Sequence, residues 1–237
     1  MIGIRKKSKK KQKKVPVLNE KTNFLAAEAY KTIRTNLLFT LQNHMGASVI
    51  ITSTAPNEGK TTNCCNLGIT LAQMNSKVLI IDCDLRKPYI HECFNKTCEP
   101  GLSEFLAGMK ENAAEIIQDT EYPNLNVICG GIIPPNPAEL LSSQRMEELI
   151  GELAEEYKYI LMDTPPINLV ADALSLSHLA DGVVLVVKQA QTTHPELNHA
   201  LTSLEFADAR VLGVILNGIV GPDQYKYIRK SYKKYGY

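Results

Sequence analysis

Residues Ser53-Thr54-Ala55-Pro56-Asn57-Glu58-Gly59-Lys60-Thr61-Thr62 follow an apolar run, Val49-Ile50-Ile51, and open a stretch of helical length. A strand that ends in a tight Gly-Lys-Thr turn and runs into a helix is the context a phosphate-binding loop (P-loop) requires. In such a loop, backbone N–H groups and the helix N-terminus face phosphate oxygens. Lys60 is then expected to reach the β- and γ-oxygens of ATP, and the Thr61 hydroxyl to coordinate Mg2+. Thr62 is expected to add a hydrogen bond to the α-phosphate, with Pro56, Asn57, Glu58 and Gly59 completing the nucleotide-binding turn. One position departs from G-x-x-x-x-G-K-[ST]: Thr54 stands where the first glycine is usual. A bare Gly-Lys-Thr also arises by chance, but here the strand before it and the helix after it favour phosphate binding.

Outward from this loop, short apolar runs alternate with helical stretches. Strands are expected at residues 48–52, 77–82, 125–129, 159–163, 182–188 and 211–217, with helices over 62–74 and 195–206. Met146, Leu149, Ile150, Leu153 and Tyr157 stand at the helical positions i, i+3, i+4, i+7 and i+11. Over residues 22–43, Leu25, Ala29, Ile33, Leu37 and Leu41 recur every four residues, which predicts one amphipathic helix. Val78-Leu79-Ile80-Ile81 and Val183-Val184-Leu185-Val186-Val187 are apolar at successive positions, as strands covered on both faces require. The expected fold is α/β and P-loop NTPase-like, a mostly parallel sheet with helices on both faces. In such sheets the ligand lies beyond the carboxyl ends of the strands.

Carboxylates stand at two of those ends. Val78-Leu79-Ile80-Ile81 runs into Asp82-Cys83-Asp84-Leu85-Arg86-Lys87-Pro88, and Ile160-Leu161-Met162 runs into Asp163-Thr164-Pro165-Pro166. Each Asp alone could cap a turn or helix. Three of them beside a phosphate loop point to magnesium and proton transfer.

The form S-x-x-P-x-x-G-K-T, then D-x-D-x-R after the next strand and D-x-P-P after a later one, resembles the bacterial tyrosine kinases. So does the loop Gly131-Ile132-Ile133-Pro134-Pro135-Asn136-Pro137-Ala138-Glu139-Leu140-Leu141. The match runs from about Glu28 to Asn217. These are P-loop enzymes of capsule and exopolysaccharide biosynthesis, unrelated to the eukaryotic kinase fold. The resemblance implies a non-specific protein-tyrosine kinase in which Gly59, Lys60, Thr61 and Thr62 bind ATP and metal. Asp82 would accept the tyrosine proton, while Asp84 and Asp163 order Mg2+; the three form one cluster among which these roles can be exchanged. Asn217 has two readings, an adenine contact or a strand-end cap. The family's E-x-x-R-x-x-R subunit-contact signature is present as Glu28-Ala29-Tyr30-Lys31-Thr32-Ile33-Arg34, with Lys31 in place of the first arginine. Lysine keeps the charge and loses the bidentate fork. The implied assembly is a homo-oligomer, with a ring as one form. The alternative is a switch ATPase like the cell-division and plasmid-partition proteins MinD and ParA. Those carry an extra lysine early in the loop, where this chain has Thr54 and Ala55.

The two ends have their own chemistry. Of 237 residues, 26 are Lys or Arg and 25 Asp or Glu, for a formal charge of +1, yet eight cations precede the first acid, Glu20. Without those eight the remainder stands at −7. A flexible basic arm is expected over residues 1–20, a kinase domain over 21–220 and a mobile tail over 221–237. The arm is too polar for a signal peptide, and no apolar run reaches the ~18–20 residues a membrane span needs, so a cytoplasmic protein is expected. Six cysteines without CxxC spacing suggest buried thiols rather than a metal site. Tyr225, Tyr227, Tyr232, Tyr235 and Tyr237 crowd the tail, with five cations among them. A basic-aromatic mix can bind nucleic acid, but on an acidic body none is expected. The resemblance makes these tyrosines autophosphorylation sites between subunits. It also implies other protein tyrosine substrates and a membrane-embedded activator or adaptor that recruits the protein to the inner face of the cell membrane. The arm reads as a solvated tail, a contact to anionic lipid, or a dock for an acidic partner.

Overall fold

The computed structural model describes residues 17–19, 22, 24–41 and 46–219. Seven strands form one sheet: β1 (Ala47–Ser53), β2 (Val78–Asp82), β3 (Ile117–Asp119), β4 (Leu125–Ile128), β5 (Tyr159–Asp163), β6 (Gly182–Lys188) and β7 (Val211–Asn217). Their spatial order is β3-β4-β2-β5-β1-β6-β7. All neighbours are parallel except β3, which pairs antiparallel with β4. The three residues of β3 are too few to show an alternation, so this edge strand had no signal in the sequence.

Alternate side chains of each inner strand enter different cores, as the two-residue period dictates. Ile50, Leu79, Ile81, Ile128, Ile160, Met162 and Leu185 pack on one face beneath α4 (Leu102–Leu106), α5 (Pro137–Leu141), α6 (Gln144–Glu156), α7 (Asp172–Ser175) and α8 (His194–Phe206). Val49, Ile51, Val78, Ile80, Val127, Leu161 and Val186 pack on the other beneath α1 (Phe24–Leu41), α2 (Lys60–Ala72) and α3 (Ile90–Phe94). The α/β sandwich with helices on both faces is therefore the fold. Strand β1, carrying the Gly-Lys-Thr turn at its carboxyl end, sits between β5 and β6, where the chain's connections diverge to either side.

Two expectations need correction. The every-fourth-residue stripe does not lie along one face of α1: Leu37 and Leu41 are buried, Ile33 is half-buried, and Ala29 is exposed. At 100° per residue, each step of four overshoots a full turn by about 40°, so four steps drift by about 160°. The packed face instead combines Ala27, Tyr30, Ile33, Leu37, Leu38 and Leu41. The second correction concerns the amino-terminal boundary. Leu18 is buried, its N–H donates to Asn66 Oδ1 at 2.7 Å, and its carbonyl accepts from the Tyr122 hydroxyl at 2.8 Å. Residues 17–19 therefore belong to the domain rather than the arm. The basic run of residues 1–14 and the tyrosine-rich tail lie outside the described residues. No helix among the described residues is long and apolar enough to cross a membrane.

Candidate active site

Parallel register builds the floor of the site. Asp82 of β2 and Asp163 of β5 are direct partners across neighbouring strands, so two carboxylates leave the sheet side by side. The turn after β1 brings the start of α2 over them. Thr61 Oγ1 donates to Asp163 Oδ2 at 2.6 Å. Lys60 Nζ lies 2.9 Å from Asp84 Oδ2 and 3.6 Å from Asp163 Oδ2. Asp82 Oδ2 accepts the N–H groups of Tyr89 (2.8 Å) and Ile90 (2.9 Å), and among the described residues its Oδ1 has only a long 3.3 Å contact from Asp84 N–H. Asp84 Oδ1 accepts Lys87 N–H at 3.1 Å. The structure thus joins Lys60, Thr61, Asp82, Asp84 and Asp163 in one cluster.

Charge in that cluster is unbalanced, with three carboxyls to one ammonium in a place almost closed to water. Burial alone would lower the proton affinity of Lys60, but Asp163, Asp84 and Asp82 more than offset it and hold the ammonium above its usual range. Burial and the neighbouring Asp163 push the Asp82 carboxyl up, against the pull of the Ile90 N–H, Lys60 and the Tyr89 N–H. Burial likewise raises Asp163, against Lys60 and the Thr61 hydroxyl. Among the described residues, Asp163 Oδ1 is buried without a hydrogen-bond donor. A buried carboxylate oxygen left bare is costly. Together with Asp84 and Thr61 it offers hard oxygen ligands, so this donor set fits a magnesium ion.

Above the floor, the loop turns its N–H groups outward. Gly59 is the residue before α2 and adopts φ 95°, ψ 21°, a left-handed conformation that glycine takes without strain. A Cβ there would collide with the side-chain amide of Asn217. Gln191 Nε2 donates to Pro56 O (3.3 Å), Lys188 Nζ to Asn57 O (3.3 Å) and Asn217 Nδ2 to Glu58 O (2.8 Å). These donors come from behind the loop, so the N–H of each following residue points the other way. Among the described residues, none of the backbone N–H groups of Asn57 to Thr62 has a protein acceptor. That row of donors at a helix N-terminus is a cradle for phosphate oxygens.

Asn217 stands at the end of β7; its Nδ2 ties Glu58 O and its Oδ1 accepts Gly218 N–H at 2.8 Å, contacts that sit beside either of its two readings. Glu58, whose N–H belongs to that row of donors, turns its carboxylate inward and is fully buried. Arg86 of the D-x-D-x-R run makes a two-pronged pair with Asp172, at 2.9 and 3.0 Å, which ties the loop after β2 to α7. Asp172, Lys188, Gln191 and Thr192 around the site carry no recognisable motif and were not legible in sequence. Just before the Gly131–Leu141 stretch, a Cβ on Gly130 would lie 3.7 Å from Asp82 Cγ; within the stretch, Ile132 and Ile133 are exposed.

Comparison with known proteins bears on this geometry. The AAA domain family matches residues 49–209. Tyrosine-protein kinase YwqD of Bacillus subtilis is 39% identical over 217 residues, covering 92% of this chain and 91% of that protein. The chain spans only 29% and 30% of the length of two longer tyrosine-protein kinases, from Acinetobacter johnsonii and Salmonella typhimurium, each 37% identical to it. The kinase domain of Escherichia coli tyrosine kinase ETK superposes with a TM-score of 0.80 at 33% identity, over 92% of this chain and 86% of that one. The cell division ATPase MinD of Pyrococcus furiosus shares the fold at greater distance, with a TM-score of 0.63 and 25% identity over 78% of this chain and 80% of that one.

Proposed function

The chain belongs to the bacterial tyrosine-protein kinases, within the AAA domain family, and from that premise we propose that it transfers the γ-phosphoryl group of ATP to tyrosine. The observation that carries the reading is Lys60 and Thr61 seated on three strand-end aspartates beneath a row of unpaired loop N–H groups. The loop N–H groups hold the phosphate chain, and Lys60 balances charge on the β- and γ-oxygens. Thr61, Asp84 and Asp163 would hold magnesium, which when bound neutralises the transferring phosphoryl oxygens. A tyrosine hydroxyl, with a pKa of about 10, is a weak nucleophile. As its oxygen bonds to the γ-phosphorus, the bond to the β–γ bridging oxygen breaks and ADP leaves. The hydroxyl proton passes to Asp82, whose raised proton affinity suits a base working near neutral pH.

The same proposal extends to regulation. Tyr225, Tyr227, Tyr232, Tyr235 and Tyr237 are the substrates in cis sequence but are modified between subunits. A membrane-embedded activator brings the chain to the inner face of the membrane, and the activity regulates capsular or exopolysaccharide assembly. Support comes from the tyrosine crowding, the basic arm and the family.

Incubation with Mg-ATP, with and without membranes carrying the activator, followed by mass spectrometry, tests the reading. Phosphotyrosine in residues 225–237 is expected. ATP hydrolysis with no phosphotyrosine on any protein would instead favour the switch ATPase. Mixing a Lys60→Met chain having its tail with an active chain lacking residues 221–237 tests transfer between subunits: phosphate must appear on the inactive chain.

A further inference from the structure

Glu58 is a fully buried carboxylate that the transfer mechanism does not use, and among the described residues it has no cationic partner within ion-pair distance. Burying such a charge is unfavourable unless strong donors surround it. Here the donors are neutral and converge from two parts of the chain. The Thr54 hydroxyl lies 2.8 and 2.9 Å from its two oxygens, and Ala55 N–H donates at 2.9 Å. The Thr192 hydroxyl, from the connection between β6 and α8, donates to Oε1. Thr192 Oγ1 in turn accepts Lys188 N–H at 2.9 Å. Hydrogen bonds to an ionised acceptor are roughly twice as strong as neutral ones, so this knot is stiff. It encloses Thr54, the residue standing where the general P-loop has its first glycine. The same connection also grips the loop from outside, through Gln191 on Pro56 O and Lys188 on Asn57 O.

We propose that Glu58 and Thr192 form a latch that fastens the P-loop to the β6–α8 connection and holds its N–H groups in the phosphate-cradling direction, replacing the missing glycine turn. Glu58 is therefore a positioning residue and its carboxylate does not touch the nucleotide. The inference deepens the nucleotide-site reading and rests on it for its functional consequence, while the latch itself is a property of the nucleotide-free loop.

The test uses the full chain with Thr192→Val, which removes only the hydroxyl, and Thr192→Ser, which restores it. Glu58→Gln and Glu58→Ala complete the set. Hydrogen exchange at the Ala55 amide without nucleotide reads the latch directly; faster exchange is expected in Thr192→Val and Glu58→Ala, and protection near wild type in Thr192→Ser. Affinity for ATP and for ADP should fall together by about ten- to a hundredfold in Thr192→Val, the scale of one lost hydrogen bond to a charged group. The rate at saturating ATP should stay within about twofold, since the reacting groups are untouched. The double variant Thr192→Val/Glu58→Gln should lose less than the two single losses combined, because both act through one bond. Unchanged Ala55 exchange in both Thr192→Val and Glu58→Ala would overturn the latch, as would additive losses in the double variant. A wild-type chain that binds no ATP would overturn the nucleotide reading instead, and the exchange comparison would still decide the latch.

Discussion

Lys60, proposed to act on the phosphates, also pairs with the buried carboxylates beneath it. Lys60→Met should abolish tyrosine phosphorylation, because the ammonium that balances charge on the β- and γ-oxygens is then gone. It also leaves Asp82, Asp84 and Asp163 together without their ammonium, and an uncompensated buried charge is destabilising. The variant should therefore melt lower than wild type at pH 8 and come closer to it at pH 5, where the carboxyls can take up protons; parallel thermal melts at the two values check this. The wild-type cluster has its own pH signature. Asp82 and Asp163 are raised in the folded state from an ordinary value of 3.8. Between the unfolded value and the raised one, the folded chain binds more protons than the unfolded chain, so unfolding free energy falls as pH rises. The contribution is fully present below about pH 4 and is lost as pH climbs through the folded values. Asp82→Asn removes one of the two groups, and its stability should decline less steeply across that window in the absence of metal and nucleotide.

At the scale of elements, α1 and α6 contrast two kinds of apolar spacing. Met146, Leu149, Ile150 and Leu153 stand at i, i+3, i+4 and i+7 and are all buried on one side of α6, because those offsets track 3.6 residues per turn. The unbroken steps of four on α1 rotate off the packed face. Leu37 should therefore carry more stability than Leu25, although both belong to the same sequence stripe. Leu37→Ala, at a buried position, should cost about 2–3 kcal/mol, and Leu25→Ala about 1 kcal/mol or less. Urea denaturation of the two variants compares them; equal losses would show that α1 packs in solution along the sequence stripe rather than the observed face.

For the whole molecule, the docked segment at residues 17–19 divides two truncations. Removing residues 1–14 takes away eight like charges and should leave melting temperature and ATP affinity near wild type. It should weaken binding to anionic vesicles, most visibly at low salt where screening is least. Removing residues 1–19 also strips Leu18 from its pocket along with its bonds to Asn66 and Tyr122. Loss of that buried side chain alone is worth about 2 kcal/mol, so this longer deletion should lower the melting temperature by several degrees. The charge of residues 221–237 bears on the proposed oligomer. Residues 221–237 hold five cations against Asp223 alone, a net of +4. Each phosphotyrosine adds about −1.5 to −2, so roughly three modifications reverse the sign. Repulsion from the aspartate-lined cleft of a neighbour should then loosen the oligomer. Light scattering should report a smaller mass after phosphorylation in Mg-ATP, and an unchanged mass when all five tail tyrosines are Phe.

Much of this molecule is written locally. Continuous apolar runs specify strands covered on both faces, because a strand with no polar side has nowhere to meet water. The Gly-Lys-Thr turn and the aspartates at strand ends mark the candidate phosphate site, because a parallel sheet collects those ends at one edge. From the sequence alone, then, came the α/β fold, the loop, and the identity of Lys60, Thr61, Asp82, Asp84 and Asp163 as neighbours. Only the tertiary structure decided how they pair. Strand register sets Asp82 beside Asp163, and side-chain reach ties Lys60 to Asp84 and Thr61 to Asp163. It also turned Glu58 inward, since that depends on Thr192, 134 positions away. No periodicity or spacing encodes such a contact; it arises when separate segments close around a buried charge that must find its donors or pay for desolvation.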